Sequence, residues 1–151
     1  MSADSPVGVQ PLPTVPKLRV AVAALVVTAS ACGSPARVEP SPQAQGEAEQ
    51  RLTEAVGALC DARREAASSI PTARGVFYDR AHDQLHELAR RAGERDRPAT
   101  ARMLEAKNKV EQDFLYPKTW DQVAGDIATL DGAARAALPA VPADVPPPCP
   151  S

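Results

Sequence analysis

The chain has 151 residues, 17 of them basic and 19 acidic, for a formal net charge of −2. That balance, with aromatic residues at only 3%, excludes a basic nucleic-acid footprint and a stacking platform for bases. The length allows one small domain.

The first patterned stretch is KLRVAVAALVVTASACGS, residues 17–34. Lys17 and Arg19 form a short positive region, 20–27 is an uninterrupted apolar run, and Thr28, Ala29, Ser30 and Ala31 make a small-residue exit. A spanning helix needs about 20 apolar residues, and this run is far shorter. Residues 1–31 therefore read as an export signal. Residues 1–16 hold an acid, four prolines and no apolar run. Export signals begin close to their basic residues, so a start near Val15 is expected and 1–14 read as a mis-annotated start.

The exit Ala29-Ser30-Ala31-Cys32 also matches A-x-A, the ordinary signal-peptidase site. It resembles a lipobox, with Ala29 where leucine is usual. In bacterial lipoproteins that cysteine is lipidated, and the chain is cleaved just before it. The resemblance implies a lipid anchor, palmitate included, on Cys32, and a location on the extracytoplasmic side of a cell membrane. Cysteine parity agrees: if Cys32 carries lipid, the other two, Cys60 and Cys149, are free to pair. Residues 32–46 then form a tether. The segment GSPARVEPSPQAQG cannot bury enough surface to order itself, and as a coil it reaches about 20 Å.

The folded domain is expected over 47–151. Without Asp4, Lys17 and Arg19, residues 32–151 balance 15 basic against 18 acidic residues. The first helix is predicted over 47–67, with Ala48, Leu52, Ala55, Val56, Leu59, Ala62 and Ala66 on one face. Ser68-Ser69-Ile70-Pro71 breaks it and starts a second, whose stripe runs Ala73, Phe77, Ala81, Leu85, Leu88, Ala92 to a C-cap at Gly93. Asp96 caps a third helix with Pro98 in its first turn. Ala99, Met103, Ala106, Val110 and Phe114 form its face, Leu104 and Leu115 lie beside it, and Pro117 ends it. Thr119 and Gln122 form a capping box for a fourth helix, striped by Val123, Ile127, Leu130, Ala134 and Leu138. From Pro139 the tail is too proline-rich to be helical.

No run alternates with period two. Short loops between four amphipathic helices predict an all-α fold, a small antiparallel four-helix bundle with a Pro-rich C-terminal tail. An alanine-rich core buries little area per helix, so a disulfide between Cys60 and Cys149 is expected as a staple. The alternative, a metal-binding or redox thiol pair, lacks C-x-x-C spacing.

Both histidines lie in FYDRAHDQLHEL. Asp79, His82, Asp83 and His86 share one helix face at i, i+3, i+4 and i+7. Turning about 100° per residue from Phe77, His82 falls at the edge of the apolar stripe and the other three look away from it. Two histidines four apart can grip a divalent transition metal such as Zn, Cu or Fe, with an aspartate as ligand or orienting partner. Glu105 and Glu111 on the third helix are the candidates to complete the site. The competing reading is a solvated polar face with His82 half-packed. His82-Asp83-Gln84-Leu85-His86 also resembles the zincin signature H-E-x-x-H over five residues, with aspartate for glutamate. The shorter acid would stand back from a metal-bound water, and the chain has no spare length for a substrate cleft. Arg90, Arg91, Arg95 and Arg97 are interleaved with Glu94 and Asp96 as a solvated end. No glycine-rich phosphate loop and no G-x-S-x-G occurs, so no enzyme is expected.

In its order of elements the chain resembles small helical-bundle envelope lipoproteins of high-GC bacteria, some involved in metal handling. The expected function is a membrane-anchored lipoprotein binding a divalent metal, or else an interaction or structural envelope protein without one. The protein partner stays unnamed.

Overall fold

The computed structural model describes residues 40–116 and 118–150. The residues expected to form the export signal, the lipidated Cys32 and the first part of the tether lie outside them, as does Pro117. Among the described residues the fold is all-helical: α1 (Pro42–Ala66), α2 (Ile70–Arg80), α3 (His82–Ala92), α4 (Arg97–Leu115), α5 (Trp120–Ala137) and a 3₁₀ turn (Leu138–Ala140).

Helix α1 starts five residues before the predicted 47. Ser41 accepts a hydrogen bond from the Ala44 N–H, and Pro42 supplies a first-turn φ at no hydrogen-bond cost, so the last residues of the expected tether are helical. Three further starts follow the sequence reading. Ser69 accepts from the Thr72 N–H, Asp96 from the Ala99 N–H, and Thr119 and Gln122 form a reciprocal capping box.

The predicted second helix is two helices, giving five in place of four. Ala81 sits at φ −119°, ψ −43°, and the chain bends there. The Ala81 N–H still donates to Phe77 and its carbonyl still accepts from Leu85, so the hydrogen-bond ladder continues along the buried side. The bend divides one apolar stripe between two surfaces. Helix α2 packs chiefly on α1, whereas α3 meets α1, α4, α5 and the 3₁₀ turn. A straight helix presents its stripe to one surface only. Gly93 does end α3, in a right-handed conformation. A Cβ there would lie 2.8 Å from the Ala89 carbonyl oxygen, which is why glycine fits.

Leu52, Val56, Leu59, Phe77, Leu85, Leu88, Met103, Val110, Ile127, Leu130 and Leu138 are fully buried, interleaved with alanines. Leu115, read as lying beside the stripe of α4, is exposed together with Tyr116 and Trp120. Leu138–Ala140 forms one 3₁₀ turn despite Pro139, because proline's fixed φ suits a short turn.

Past that turn, Val141 is buried and extends the core into the tail. Arg95 donates to the Ala140 carbonyl at 3.0 Å, Thr53 Oγ1 to the Asp144 carbonyl at 2.8 Å, and Arg135 to the Pro146 carbonyl. Cys60 and Cys149 form a disulfide with Cα atoms 5.3 Å apart, pinning the tail to α1.

Candidate functional site

The bend at Ala81 makes His82 the first residue of α3, facing α4. His82 Nε2 lies 2.9 Å from Glu111 Oε1, and Nδ1 lies 2.9 Å from Asp83 Oδ1. The same Glu111 oxygen accepts from Lys107 Nζ at 2.8 Å. Lys107 is essentially without solvent exposure, a full positive charge in the core. A buried ammonium needs a partner, and Glu111 on the next turn supplies it. Burial alone would raise the Glu111 carboxyl. The hydrogen bond and charge of Lys107, with His82 beside it, outweigh that and hold it below the usual glutamate range.

Around this pair His86 and Phe77 meet the His82 ring edge to face, and Tyr78 is tilted against it at 39°. His82 stands 4.9 Å from His86 at 79°, 5.9 Å from Phe77 and 5.1 Å from Tyr78, centroid to centroid. His86 is exposed. Partial burial, then the nearby Lys107 charge, lower its pKa.

The candidate ligands divide. His82, Asp83, His86 and Glu111 come together, while Asp79 is exposed on the far side of the Ala81 bend. Glu105 lies on another face of α4, lining a groove with Asn108, Lys109 and Gln112, and so is not part of the histidine cluster. Glu111, the one carboxylate from α4 that reaches the histidines, already neutralises Lys107. A divalent cation there would sit beside a buried ammonium, and like charges at such range repel strongly. Among the described residues one trio of metal-ligating types converges within 4.8 Å, namely Cys60, Asp131 and Cys149. Its two sulfurs are bonded to each other and its carboxylate is held by Arg135.

The sequence reading missed Lys107. The signal was there: Met103, Lys107, Val110 and Phe114 recur at helical spacing, so a lysine stands in the buried stripe of α4.

A second ionic cluster joins α4 to α5. The Asp113 side chain is 2% exposed and its Oδ2 has no hydrogen-bond donor. Lys118 lies 3.7 Å from its Oδ1, and Lys109, 4.0 Å from its Oδ2, reaches Asp126 at 2.6 Å. Burial first, then the adjacent Asp126, raise the Asp113 carboxyl above the usual range. Burial would raise Asp126 as well, but its hydrogen bonds with Asp113 and Lys109 and the Lys109 charge hold its carboxyl below the usual range.

Compared with protein-family models, with curated proteins and with solved structures, the chain matches none.

Proposed function

We propose that this chain is a membrane-anchored extracytoplasmic lipoprotein whose domain, an up-down helical bundle with its second helix bent in two, serves as a non-catalytic interaction or structural body. The observation that supports this best is the cysteine count. With Cys60 and Cys149 joined, the one cysteine left over is Cys32, at the small-residue exit of the short apolar run. A disulfide also suits an oxidising, extracytoplasmic compartment. The test is metabolic labelling with palmitate followed by membrane fractionation. Label and membrane association are expected in the wild type and lost in Cys32→Ser. Equal, unlabelled soluble material from both overturns the reading.

A second reading, a Zn, Cu or Fe site at His82 and His86 with Glu111, has the 4.9 Å ring separation in its favour. The metal-free reading stands first because Lys107 already occupies Glu111. Elemental analysis of the purified protein separates them: a stoichiometric metal lost in both His82→Ala and His86→Ala establishes the second reading.

A further inference from the structure

The two sulfurs of the disulfide have opposite electrostatic neighbours. Arg135 on α5 stands beside the disulfide, its Nε bonded to both oxygens of Asp131 at 2.9 Å. Its Nη2 reaches Cys60 Sγ at 3.6 Å. Asp131 Oδ2 instead lies 3.5 Å from Cys149 Sγ, a contact without a hydrogen bond because a disulfide sulfur carries no proton. The Asp131 carboxylate thus lies within 4.8 Å of both sulfurs, 3.5 Å from that of Cys149, while the Arg135 guanidinium makes its sulfur contact at Cys60. A groove of about 360 Å³ opens on the disulfide, lined by Arg63 and Arg64 beside Cys60 and by Pro150 beside Cys149. Asp61, the acid next to Cys60, is held by Arg64 and Arg80.

Thiol–disulfide exchange favours the route that expels the more stable thiolate. A guanidinium stabilises a thiolate and a carboxylate destabilises one. We propose that the disulfide is a directional exchange site for a small external thiol, which enters at Cys149 and expels Cys60. The incoming thiolate attacks Cys149 Sγ and forms a new S–S bond. The Cys60–Cys149 bond breaks, its electron pair leaves on Cys60 Sγ beside Arg135, and the proton given up by the external thiol balances the charge. A monothiol stops at a mixed disulfide on the tail. With a dithiol, the second thiolate attacks the first thiol's sulfur, the dithiol is oxidised to its own disulfide, and Cys149 is released reduced. The tail segment between Val141 and Pro150 thereby becomes the part of the molecule that carries a covalent adduct, while Cys60 stays in α1 as the resident thiolate.

The experiment uses full-length protein with Cys32→Ser, so that only this pair reports. A low concentration of 2-mercaptoethanol is added at neutral pH, the reaction is quenched with acid, and adducts are mapped by peptide mass spectrometry. The expected result is a severalfold excess of adduct on Cys149, because the thiolate expelled beside Arg135 is the better stabilised leaving group. The excess should collapse toward equality in guanidinium chloride, where the fold no longer places Arg135 and Asp131. Arg135→Gln should reduce it in the folded protein. If that variant fails to fold, the native-to-denatured ratio of the parent still decides. Adducts divided equally or concentrated on Cys60 in the native protein overturn the proposal, as does a disulfide that 2-mercaptoethanol opens only after unfolding.

Discussion

Lys107 and Glu111 stand one turn apart on α4 with Nζ 2.8 Å from Oε1, and only the carboxylate has a path to water: its side chain is 23% exposed, that of the lysine 1%. Removing Glu111's charge strands an ammonium in the core. Glu111→Gln should therefore destabilise by about 3 kcal/mol in chemical denaturation, the lower end for a broken buried pair because Glu111 is partly solvated. Lys107→Met, which deletes the charge and keeps the volume, should be near neutral. It should also move the His86 titration, followed by its ring-proton NMR shift, back toward the ordinary histidine value, because burial would then be the main remaining cause of lowering. Equal losses from both substitutions would mean that the pair acts through packing alone.

The two ionic clusters should give opposite pH signatures. A carboxyl held below its unfolded value, such as Glu111, stabilises the fold above that value, and the gain disappears as pH falls through the lowered one. Asp113 is raised, so its contribution is present in acid and lost as pH climbs through the raised value. Asp113→Asn should then raise stability at neutral pH by about 1 kcal/mol, since a carboxylate oxygen without a donor is replaced by an amide that can donate to Asp126. Urea midpoints of wild type and variant, taken from acid to neutral pH, check this: the variant's advantage should shrink toward acid. An advantage that grows toward acid contradicts the raised Asp113.

Reduction of Cys60–Cys149 should cost about 4–5 kcal/mol in the chain-entropy model, because the bond closes a loop with a sequence separation of 89. Cys60→Ala should lose a similar amount. Denaturation of oxidised and reduced protein measures it directly, and no difference would mean that the tail contacts of Thr53, Arg95 and Arg135 already restrain the segment fully.

At the start of α5, Thr119→Ala should cost about 1 kcal/mol and Thr119→Gly only a few tenths, as expected where the hydroxyl and Gln122 cap each other. Thermal melts of the two variants side by side are the check.

Local chemistry made most of the fold legible. Ser69, Asp96 and Thr119 all cap where serine, aspartate and threonine should, and the stripe from Leu52 to Ala66 is buried as its spacing demands. The missed early start lay in Ser41-Pro42, read as tether because the surrounding composition is that of a coil. The bend at Ala81 carries no proline or glycine, since its basis is tertiary: two neighbouring surfaces share one stripe. The histidine face was legible as a cluster, but its chemistry was not. Periodicity brings His82 and His86 together. Only the approach of α4 reveals that Glu111 belongs first to Lys107, and that Glu105, six residues before it, points elsewhere.

The bond between Cys60 and Cys149 makes a covalent circuit that contains α2, α3, α4 and α5 in full. A protease that cuts between Arg95 and Asp96, in the turn where Glu94 and Arg95 are exposed, would open the circuit without dividing the molecule. The two pieces would remain on one thread at high effective concentration and could reassemble as an intramolecular event. The same cut in the reduced protein would release α4 and α5 from α1. The disulfide thus decides whether a single nick is a scar or a separation.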